Sequence, residues 1–301
     1  MFGNIYRIDF RTISVIGYSK RNKKIHVLLF DIAREYDQMT QNNDKYKSDK
    51  KKHVSKALLI LSTFDESSPM QRTTDVASKL DMNMSTVSRH LNSLLDLGFL
   101  DRDDVTGQYF LGIEMIALTG AALHNNDLYR HAYPELQQLS FKYEIHSHMA
   151  VPSDVNVIHL ISTSCEKNME LLIPMGHSHP MYCSAMGRAI LAFQSDNEID
   201  RILKKSDLRK YTSETKTKVP EIMQSLNKTK KLGYSTVINE LDEGTASIAS
   251  PIFNRKRKPV GAISVSASVR RIQRDNEEKI LAKAVVTTAG RISAKLGYFP
   301  K

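Results

Sequence analysis

The 301-residue sequence lacks the features of secreted, disulfide-linked and membrane-spanning proteins. Its two cysteines, Cys165 and Cys183, are too few for a disulfide framework, and we expect both to remain reduced. No apolar run approaches the roughly 20 residues needed to cross a bilayer. The N-terminus does not show the order of charged, apolar and small residues of a secretory signal. We therefore expect a cytoplasmic protein that does not enter a membrane.

The net charge of +10 is unevenly distributed along the chain. Residues 1–52 carry 12 Lys/Arg and 6 Asp/Glu, residues 53–122 carry 5 and 9, and residues 123–301 carry 26 and 18. A basic protein often binds nucleic acid, but here the middle segment is acidic. A prediction of nucleic-acid binding by residues 53–122 must therefore depend on motif and geometry.

Residues 1–52 differ in composition from the rest of the chain. A short apolar run at 27–30 has no evident partner, and residues 41–52 are too polar to bury a core. We predict a flexible extension over 1–52, with Met39 as a candidate natural start. A genuine short subdomain is the alternative. The basic run Lys45–Lys52 could contact phosphates or a minor groove, or simply remain a solvated tail.

Three helices are predicted over 54–97, because apolar residues recur there every three or four positions. The first, over 54–64, buries Ala57, Leu58, Leu61 and Phe64. The second has Thr73 as its N-cap and buries Val76, Ala77 and Leu80. The third starts at Asn83, ends at Gly98 and buries Val87, Leu91, Leu94 and Leu95.

A β-hairpin is predicted directly after the third helix. Residues 99–102 and 108–111 alternate as strands do, and the turn between them contains Gly107. Three helices followed by a hairpin make a winged helix-turn-helix, which we assign to 53–112. A generic three-helix module would show the same apolar periodicity and remains an alternative.

The remainder of the chain predicts a linker helix over 113–124 and a larger domain over 125–301. A helix capped at 125–127 opens this domain, and a long helix over 276–296 closes it. Between them, strands are predicted at 146–151, 155–163, 169–173, 234–239, 247–253 and 260–268, and helices at 184–194, 196–204 and 220–232. Strands in groups with helices between them favour an α+β fold with a largely antiparallel sheet.

Several stretches resemble the IclR family of bacterial transcriptional regulators. They are Leu-Asp-Met-Asn-Met-Ser-Thr-Val-Ser-Arg at 80–89, Pro-Met-Tyr-Cys-Ser-Ala-Met-Gly-Arg-Ala-Ile-Leu-Ala at 180–192, and Ser-Ile-Ala-Ser-Pro-Ile at 247–252. The resemblance covers roughly 54–296. It implies a winged helix-turn-helix joined to a GAF/profilin-like effector-binding domain, in a homodimer or homotetramer on double-stranded DNA. The sequence departs from the family at Ser247, often a cysteine, and at His90, usually a leucine.

The third helix is the predicted DNA reader. Short polar side chains and one guanidinium suit base edges in a major groove, and these candidates are Met84, Ser85, Thr86, Ser88, Arg89 and Asn92. Arg89 could read a guanine, contact a phosphate or form an internal ion pair, and Ser85 and Thr86 could instead bond the helix start. Lys56 and Arg72, with Lys79, are expected near phosphates. The acidic wing, with Asp101, Asp103 and Asp104, should add little affinity.

The resemblance to the IclR family implies an effector pocket between the sheet and the start of the helix at 184. Small side chains on the strands leave room for a ligand, and free N–H groups at a helix start attract a carboxylate. We therefore expect a small organic acid to bind Ser184, Ala185, Met186, Gly187, Ser247, Ile248, Ala249, Ser264 and Ser266. The same small residues could instead serve close packing of helix on sheet, with Ser184 only as a cap.

Together these features predict a ligand-responsive regulator, a repressor rather than an activator, without enzyme activity, metal or cofactor. Histidines two apart at 146/148 and 177/179, with the two cysteines, invite a metal site, but no tight zinc spacing is present. The alternative is an enzyme acting on a small carboxylate, with Cys183 as nucleophile, His177 or His179 as base and a non-catalytic winged helix. A third alternative is an interaction protein that does not bind DNA.

Overall fold

The structure, a computed structural model, describes residues 44–164, 173–274 and 276–299. The chain divides into two compact units, Met1–Ile113 and Glu114–Lys301. No helix among the described residues is long and apolar enough to span a membrane. The predictions for the run at 27–30, for Met39 and for most of the strand at 169–173 fall outside the described residues.

The N-terminal unit has the predicted order of helices and strands. Its elements are α1 (Asp44–Leu61), α2 (Thr73–Leu80), α3 (Met84–Asp96), β1 (Leu100–Arg102) and β2 (Tyr109–Leu111). The two strands are antiparallel, and Gln71 joins them by exchanging two backbone hydrogen bonds with Tyr109. The core between helices and hairpin consists of Ile60, Phe64, Val76, Ala77, Val87, Leu91, Leu94, Leu100 and Tyr109. This is a winged helix-turn-helix.

Three local predictions in this unit are wrong. Helix α1 begins at Asp44 and not at residue 54, since lysine-rich polar segments readily prolong an existing helix. Its buried face includes Ile60, fully buried, and not Leu58, which is 61% exposed. Thr73 is the first helical residue of α2. The cap position is Arg72, whose backbone N–H donates to the Asp75 carboxylate at 2.8 Å.

The limits of α3 follow the predicted signals. Asn83 is the N-cap, and its side-chain oxygen accepts the backbone N–H of Ser85 at 2.9 Å. Asp81, with φ of 48°, makes the left-handed turn that separates α2 from α3. After the helix, Gly98 has a φ of 75°, a conformation that glycine adopts without strain. The tight turn before α3 and the stop after it are therefore set locally by the sequence.

The C-terminal unit contains one six-stranded sheet and seven helices among the described residues. They are α4 (Ile113–His124), α5 (Asp127–Tyr143), β3 (His146–Ser153), β4 (Asn156–Thr163), β5 (Ser178–Pro180), α6 (Ala185–Leu191), α7 (Asp196–Lys205), α8 (Val219–Leu232), β6 (Ser235–Ile238), β7 (Thr245–Phe253), β8 (Pro259–Ser268), α9 (Val269–Ile272) and α10 (Glu277–Lys295). The strand order is β5-β4-β3-β8-β7-β6, and every neighbouring pair is antiparallel. The predicted antiparallel α+β fold is confirmed, whereas the short elements β5 and α9 were not predicted.

Helices cover both faces of this sheet and create two separate cores. Alternate residues of β7 and β8, including Ile248, Ile263 and Val265, point to the face packed by α5 and α10. Ala249 and Ala262 point to the opposite face, which α6 packs. All seven residues of α6 are buried. The α6 face of the sheet therefore meets a helix that has no solvent-facing side.

Candidate functional site

The polar face of α3 carries most of the predicted DNA-reading residues. Ser85, Arg89 and Asn92 are exposed there, and Met84 at the helix start is 46% exposed. Thr86 and Ser88 are partly buried. This face lies opposite the side of α3 that packs into the N-terminal core. It presents one positive charge among short hydrogen-bonding groups.

The hydrogen bonds of this face distinguish its members. The Arg89 guanidinium makes no hydrogen bond or ion pair with any residue in the described part of the chain. The Ser85 hydroxyl donates to the Asn83 side chain at 2.8 Å, so Ser85 supports the helix start, as one alternative held. Asn92 accepts a hydrogen bond from the Tyr109 hydroxyl of β2 at 3.1 Å and retains its amide hydrogens as donors.

The predicted phosphate-contacting residues and the acidic wing occupy other parts of the unit. Arg72 is exposed at the start of α2, and Lys56 is partly buried on α1. In the wing, the Asp103 carboxylate accepts the backbone and hydroxyl hydrogens of Thr106, and these hydrogen bonds lower its pKa. Asp103 therefore remains ionised in its turn, beside the exposed Asp104.

His90, the departure from the family pattern in α3, is buried in the N-terminal unit. Only 8% of it is exposed, and its Nε2 has no hydrogen-bond partner among the described residues. Burial lowers its pKa, and the neighbouring His53, Arg89 and Lys56 lower it further. His90 is therefore a neutral core residue and not part of the exposed face.

A cavity of about 370 Å³ lies on the α6 face of the sheet in the C-terminal unit. Six of the nine predicted effector residues line it: Ser184, Ala185, Met186, Ser247, Ser264 and Ser266. The Ser247 and Ser266 hydroxyls, opposite each other on β7 and β8, are 2.8 Å apart. The strand alternation thus brings hydroxyl groups from two strands to one wall.

The other three predicted effector residues do not line the cavity. Ile248 points to the opposite face of the sheet and packs in the core with α10. Ala249 faces the α6 side but is fully buried against that helix. A Cβ at Gly187 would lie 2.3 Å from the Met181 Cα. Glycine is required there by close backbone packing and not by a ligand.

The start of α6 is more occupied than predicted. The Ser184 hydroxyl donates to the Pro180 carbonyl at 2.7 Å and accepts the Gly187 N–H at 3.2 Å. Ser184 is thus a cap, and the helix it caps has only seven residues. A short helix has a small dipole, so other groups must supply most of the polarity of the cavity.

A buried charge network lies at one side of the cavity. Both oxygens of Glu240 bind the Arg188 guanidinium, at 2.5 and 2.6 Å, and Lys216 adds a contact at 2.7 Å. Burial opposes ionisation of Glu240, but these hydrogen bonds and charges outweigh it and lower its pKa. Glu240 is therefore ionised and already paired, while Asp242 is exposed at the rim.

Four histidines form another wall of the cavity, and sequence analysis did not include them in the pocket. His148 lies on β3, His159 on β4, and His177 and His179 lie at and before β5. His179 is 2.9 Å from His177 and 3.0 Å from His159, measured between ring nitrogens. Burial lowers the pKa of His148 to about 3 and that of His159 to about 2. Both rings are neutral at ordinary pH.

The structure describes most of the groups that were considered for metal binding or covalent chemistry. No cluster of three His, Cys, Asp or Glu side chains within the described ranges could hold a metal ion. The Cys183 thiol is buried, which raises its pKa to about 12. A thiol of that pKa is not a ready nucleophile at neutral pH. Cys165 lies outside the described residues.

Two family models match the chain over most of its length. One, "Bacterial transcriptional regulator IclR C-terminal", matches residues 120–294, and the other, "IclR helix-turn-helix domain", matches residues 53–104. The chain belongs to the IclR family. The winged helix and the sheet with its cavity are thus the two domains of an IclR-family DNA-binding transcriptional regulator with a ligand-binding C-terminal domain.

Curated relatives and solved structures of the IclR family cover nearly the same span. The regulator KdgR of Dickeya chrysanthemi is 26% identical, with 94% of each chain covered. The repressor AllR of Escherichia coli K12 is 25% identical over 81% of this chain and 90% of its own. An IclR regulator structure from Alicyclobacillus acidocaldarius has 27% identity and a TM-score of 0.74, covering 81% of this chain and 98% of its own.

A further IclR-family structure shares the fold at lower identity. The homolog from Microbacterium hydrocarbonoxydans, in complex with 4-hydroxybenzoate, has 20% identity and a TM-score of 0.70, covering 81% of this chain and 99% of its own. The curated relatives are regulators rather than enzymes, so the alternative of an enzyme with a non-catalytic winged helix is wrong.

Proposed function

We propose that this IclR-family regulator is a repressor whose C-terminal cavity binds a small organic acid. The observation that carries the proposal is the cavity of about 370 Å³, whose walls combine serine hydroxyls with histidine rings. Its size suits a small molecule, and its polar groups converge from several strands. Binding would change DNA affinity by the difference between the ligand's affinities for the DNA-bound and DNA-free forms.

Repression and the acid ligand draw support from relatives. AllR is named a repressor, and the Microbacterium homolog binds 4-hydroxybenzoate, a small carboxylate. Both statements concern those proteins, and we extend them to this chain as a proposal. Since its DNA target lies in the bacterial cytoplasm, we assign the protein to that compartment.

The reading of DNA is assigned to α3. Arg89 is the candidate for base recognition, because its guanidinium is exposed and has no partner among the described residues. Ser88, Asn92, Thr86 and Met84 flank it, and Ser85 contributes mainly through the helix start. Arg72 and Lys56 are assigned to phosphates, which position the protein without specifying sequence. The acidic wing should contribute little affinity.

A homodimer, or a homotetramer built from dimers, is proposed from exposed apolar side chains. On α4, Ile113, Ile116 and Leu118 are 69%, 68% and 51% exposed, and no residue of that helix is buried. On α1, Val54 and Leu58 are each 61% exposed, one turn apart. Apolar faces of this kind commonly mark contacts between subunits. Two linked readers would then bind two half-sites at once.

Binding to a DNA fragment from upstream of the protein's own gene tests the DNA-binding assignment. Affinity should fall steeply with salt and should exceed the affinity for unrelated DNA of equal length. Arg89→Ala should reduce the difference in binding free energy between the upstream fragment and unrelated DNA by about 1–3 kcal/mol. Arg72→Ala should weaken binding to all DNA sequences equally. An unchanged preference in Arg89→Ala would remove the role assigned to that residue.

A thermal-shift screen of small carboxylic acids tests the effector assignment. A bound acid should raise the melting temperature with concentration, since it stabilises the folded state by mass action. The same acid should change the affinity for the upstream fragment. If no acid in the screen did either, the proposed effector class would be wrong, whatever the DNA result.

A further inference from the structure

The hydrogen bonds of the histidine wall identify two ring nitrogens that lack a partner. His148 Nδ1 is 2.6 Å from the Ser162 hydroxyl, and His148 Nε2 is buried without a partner among the described residues. His159 Nε2 is 3.0 Å from His179 Nδ1, and His159 Nδ1 is likewise buried without a described partner. Burying a polar atom unpaired is costly, so both nitrogens favour a polar ligand.

The Ser162 hydroxyl fits either tautomer of a neutral His148, because its oxygen can accept two hydrogen bonds. It accepts the Ile173 backbone N–H at 3.1 Å, and its own hydrogen can be donated to His148 Nδ1. We assign the tautomer in which Nδ1 accepts this hydrogen. His148 therefore presents Nε2–H as a donor. This is the hydrogen-bonding group that a carboxylate oxygen requires.

His159 differs because its other nitrogen belongs to a chain of imidazoles. His179 uses one ring nitrogen toward His159 and the other toward His177. When His159 is neutral, this chain can run in either direction, and Nδ1 is a donor in only one of them. A protonated His159 donates from both nitrogens at once, toward His179 and toward a ligand in the cavity.

The charges around the two rings do not supply a free cation. Among the described residues, the titratable neighbours of the two rings are His146 on β3 and His177 and His179 near β5. Glu240 and Asp242, after β6, line the same cavity, and Arg271 lies near His146. Arg188 and Lys216 are held by Glu240, and Asp242 is negative. A buried carboxylate needs a compensating charge, which here can come from a proton.

We propose that His148 and His159 are the effector-binding groups of the cavity and that a small carboxylate binds together with one proton. The carboxylate accepts hydrogen bonds from His148 Nε2–H and from His159 Nδ1–H, and the proton taken from solvent converts His159 to imidazolium. This inference rests on the proposed sensing of a small organic acid. It assigns recognition to residues that the predicted serine-based pocket did not contain.

The low pKa values oppose protonation of either ring in the ligand-free protein, so only a bound anion can bring about the protonation of His159. Burial keeps His148 and His159 neutral well below pH 7, with pKa values of about 3 and about 2. A bound anion beside His159 would raise the pKa of its ring, because an opposite charge favours the protonated form. Binding would then take up a proton. Between the pKa of His159 in the free protein and its pKa in the complex, the affinity would fall about tenfold for each unit by which the pH rises.

Calorimetric titration of the full chain with 4-hydroxybenzoate, pyruvate and succinate tests the inference. Titrations in HEPES and in Tris, which differ in ionisation enthalpy, give the number of protons taken up per bound acid. We expect proton uptake that increases as the pH is lowered from about 8 to about 5, with tighter binding at lower pH. Binding without proton uptake would overturn the inference and leave the proposed effector class intact. Failure of all three acids to bind would overturn both.

Substitutions of His148 and His159 distinguish the roles of the two rings. Asparagine places an amide near the position of Nδ1 but cannot be protonated, so His159→Asn should abolish proton uptake and weaken binding at least tenfold at about pH 6. His148→Gln keeps a donor near Nε2 and should retain proton uptake with weaker binding. His131→Gln, a change to a partly exposed histidine on α5 that does not line the cavity, is the control and should match the wild type.

Two further outcomes are decisive. Should His159→Asn not fold by circular dichroism, the proton count of the wild type and of His148→Gln still decides the inference. Binding that is lost with EDTA and restored by Zn²⁺ would assign the histidines to a metal and would contradict the proton-coupled scheme.

Discussion

At the residue scale, the C-terminal unit depends on a glycine whose role could not be read from its position in the sequence. Gly187 was predicted to admit a ligand, yet a Cβ there would lie 2.3 Å from the Met181 Cα and 2.6 Å from the Met181 carbonyl oxygen. Neither atom belongs to a flexible side chain. The close approach that requires glycine is therefore between two parts of the protein's own backbone.

Gly187→Ala should lower the free energy of unfolding by about 1–3 kcal/mol, because α6 must move away from the Met181 backbone. Urea unfolding of the full chain, followed by circular dichroism, measures the change. Gly290→Ala on α10 is the matched control, since no atom lies within 4 Å of its added Cβ. That control should be neutral or stabilising by up to about 1 kcal/mol. Equal effects of the two changes would contradict the packing role of Gly187.

The histidine wall shows why some of the cavity could not be predicted. Strict alternation along β4 would place Val157, His159 and Ile161 on one face. The pairing of β3 with β4 shifts between Met149 and Ala150, and this irregularity sends Ile161 to the α10 core. His159 lines the cavity, and Ser162, three residues further on, contacts the His148 ring. A β-bulge has no reliable signal in a single sequence, so this pairing was not foreseen.

At the scale of elements, the ends of a helix could be predicted where residues close in sequence form the turn. The Asn83 cap, the turn at Asp81 and the stop at Gly98 define α3 through contacts within a few residues. The phase of α1 was harder to predict, since Leu58 and Ile60 are both apolar and packing against α3 decides which one is buried. The order of elements was therefore predictable, while the facing of individual residues depended on tertiary contacts.

Helix α3 also contains a titratable group in its buried face. The pKa of His90 lies below its ordinary value of 6.5, chiefly because of burial. Protonation thus favours the unfolded state, and the stability associated with neutral His90 is full above about pH 6.5 and is lost as the pH falls below it. The N-terminal unit should weaken in mild acid.

His90→Leu should remove this dependence. Differential scanning calorimetry of the full chain between about pH 5 and pH 8 should show the variant melting higher than the wild type in acid, with the gap closing above about pH 6.5. His124→Gln, which alters an exposed histidine, controls for the other titrating groups. A gap that was constant with pH would mean that His90 does not titrate on unfolding.

At the scale of the whole molecule, the apolar residues of α4 bear on assembly. Isolated exposed apolar residues are common, but a helix of twelve residues with none buried and three large aliphatic side chains exposed is a candidate subunit contact. We assign this surface to the subunit contact of the proposed homodimer.

Ile116→Lys should shift the protein toward a monomer, because a buried lysine without a partner costs several kcal/mol at an apolar contact. Sedimentation velocity measures the change, and affinity for a two-half-site fragment should fall with it. Val105→Lys is the control for the sedimentation measurement, since Val105 belongs to the wing and is 93% exposed. An unchanged sedimentation coefficient for Ile116→Lys would exclude α4 from the subunit contact.

The central pair of strands, β3 and β8, has a consequence for biosynthesis. His146 pairs with Ser266, so the middle of the sheet joins parts of the chain that leave the ribosome far apart in time. Pairing of distant segments is slow, whereas the N-terminal unit is built from neighbouring segments. A nascent or prematurely terminated chain would thus acquire a folded winged helix before its ligand cavity exists. Such a fragment would bind DNA without responding to the effector.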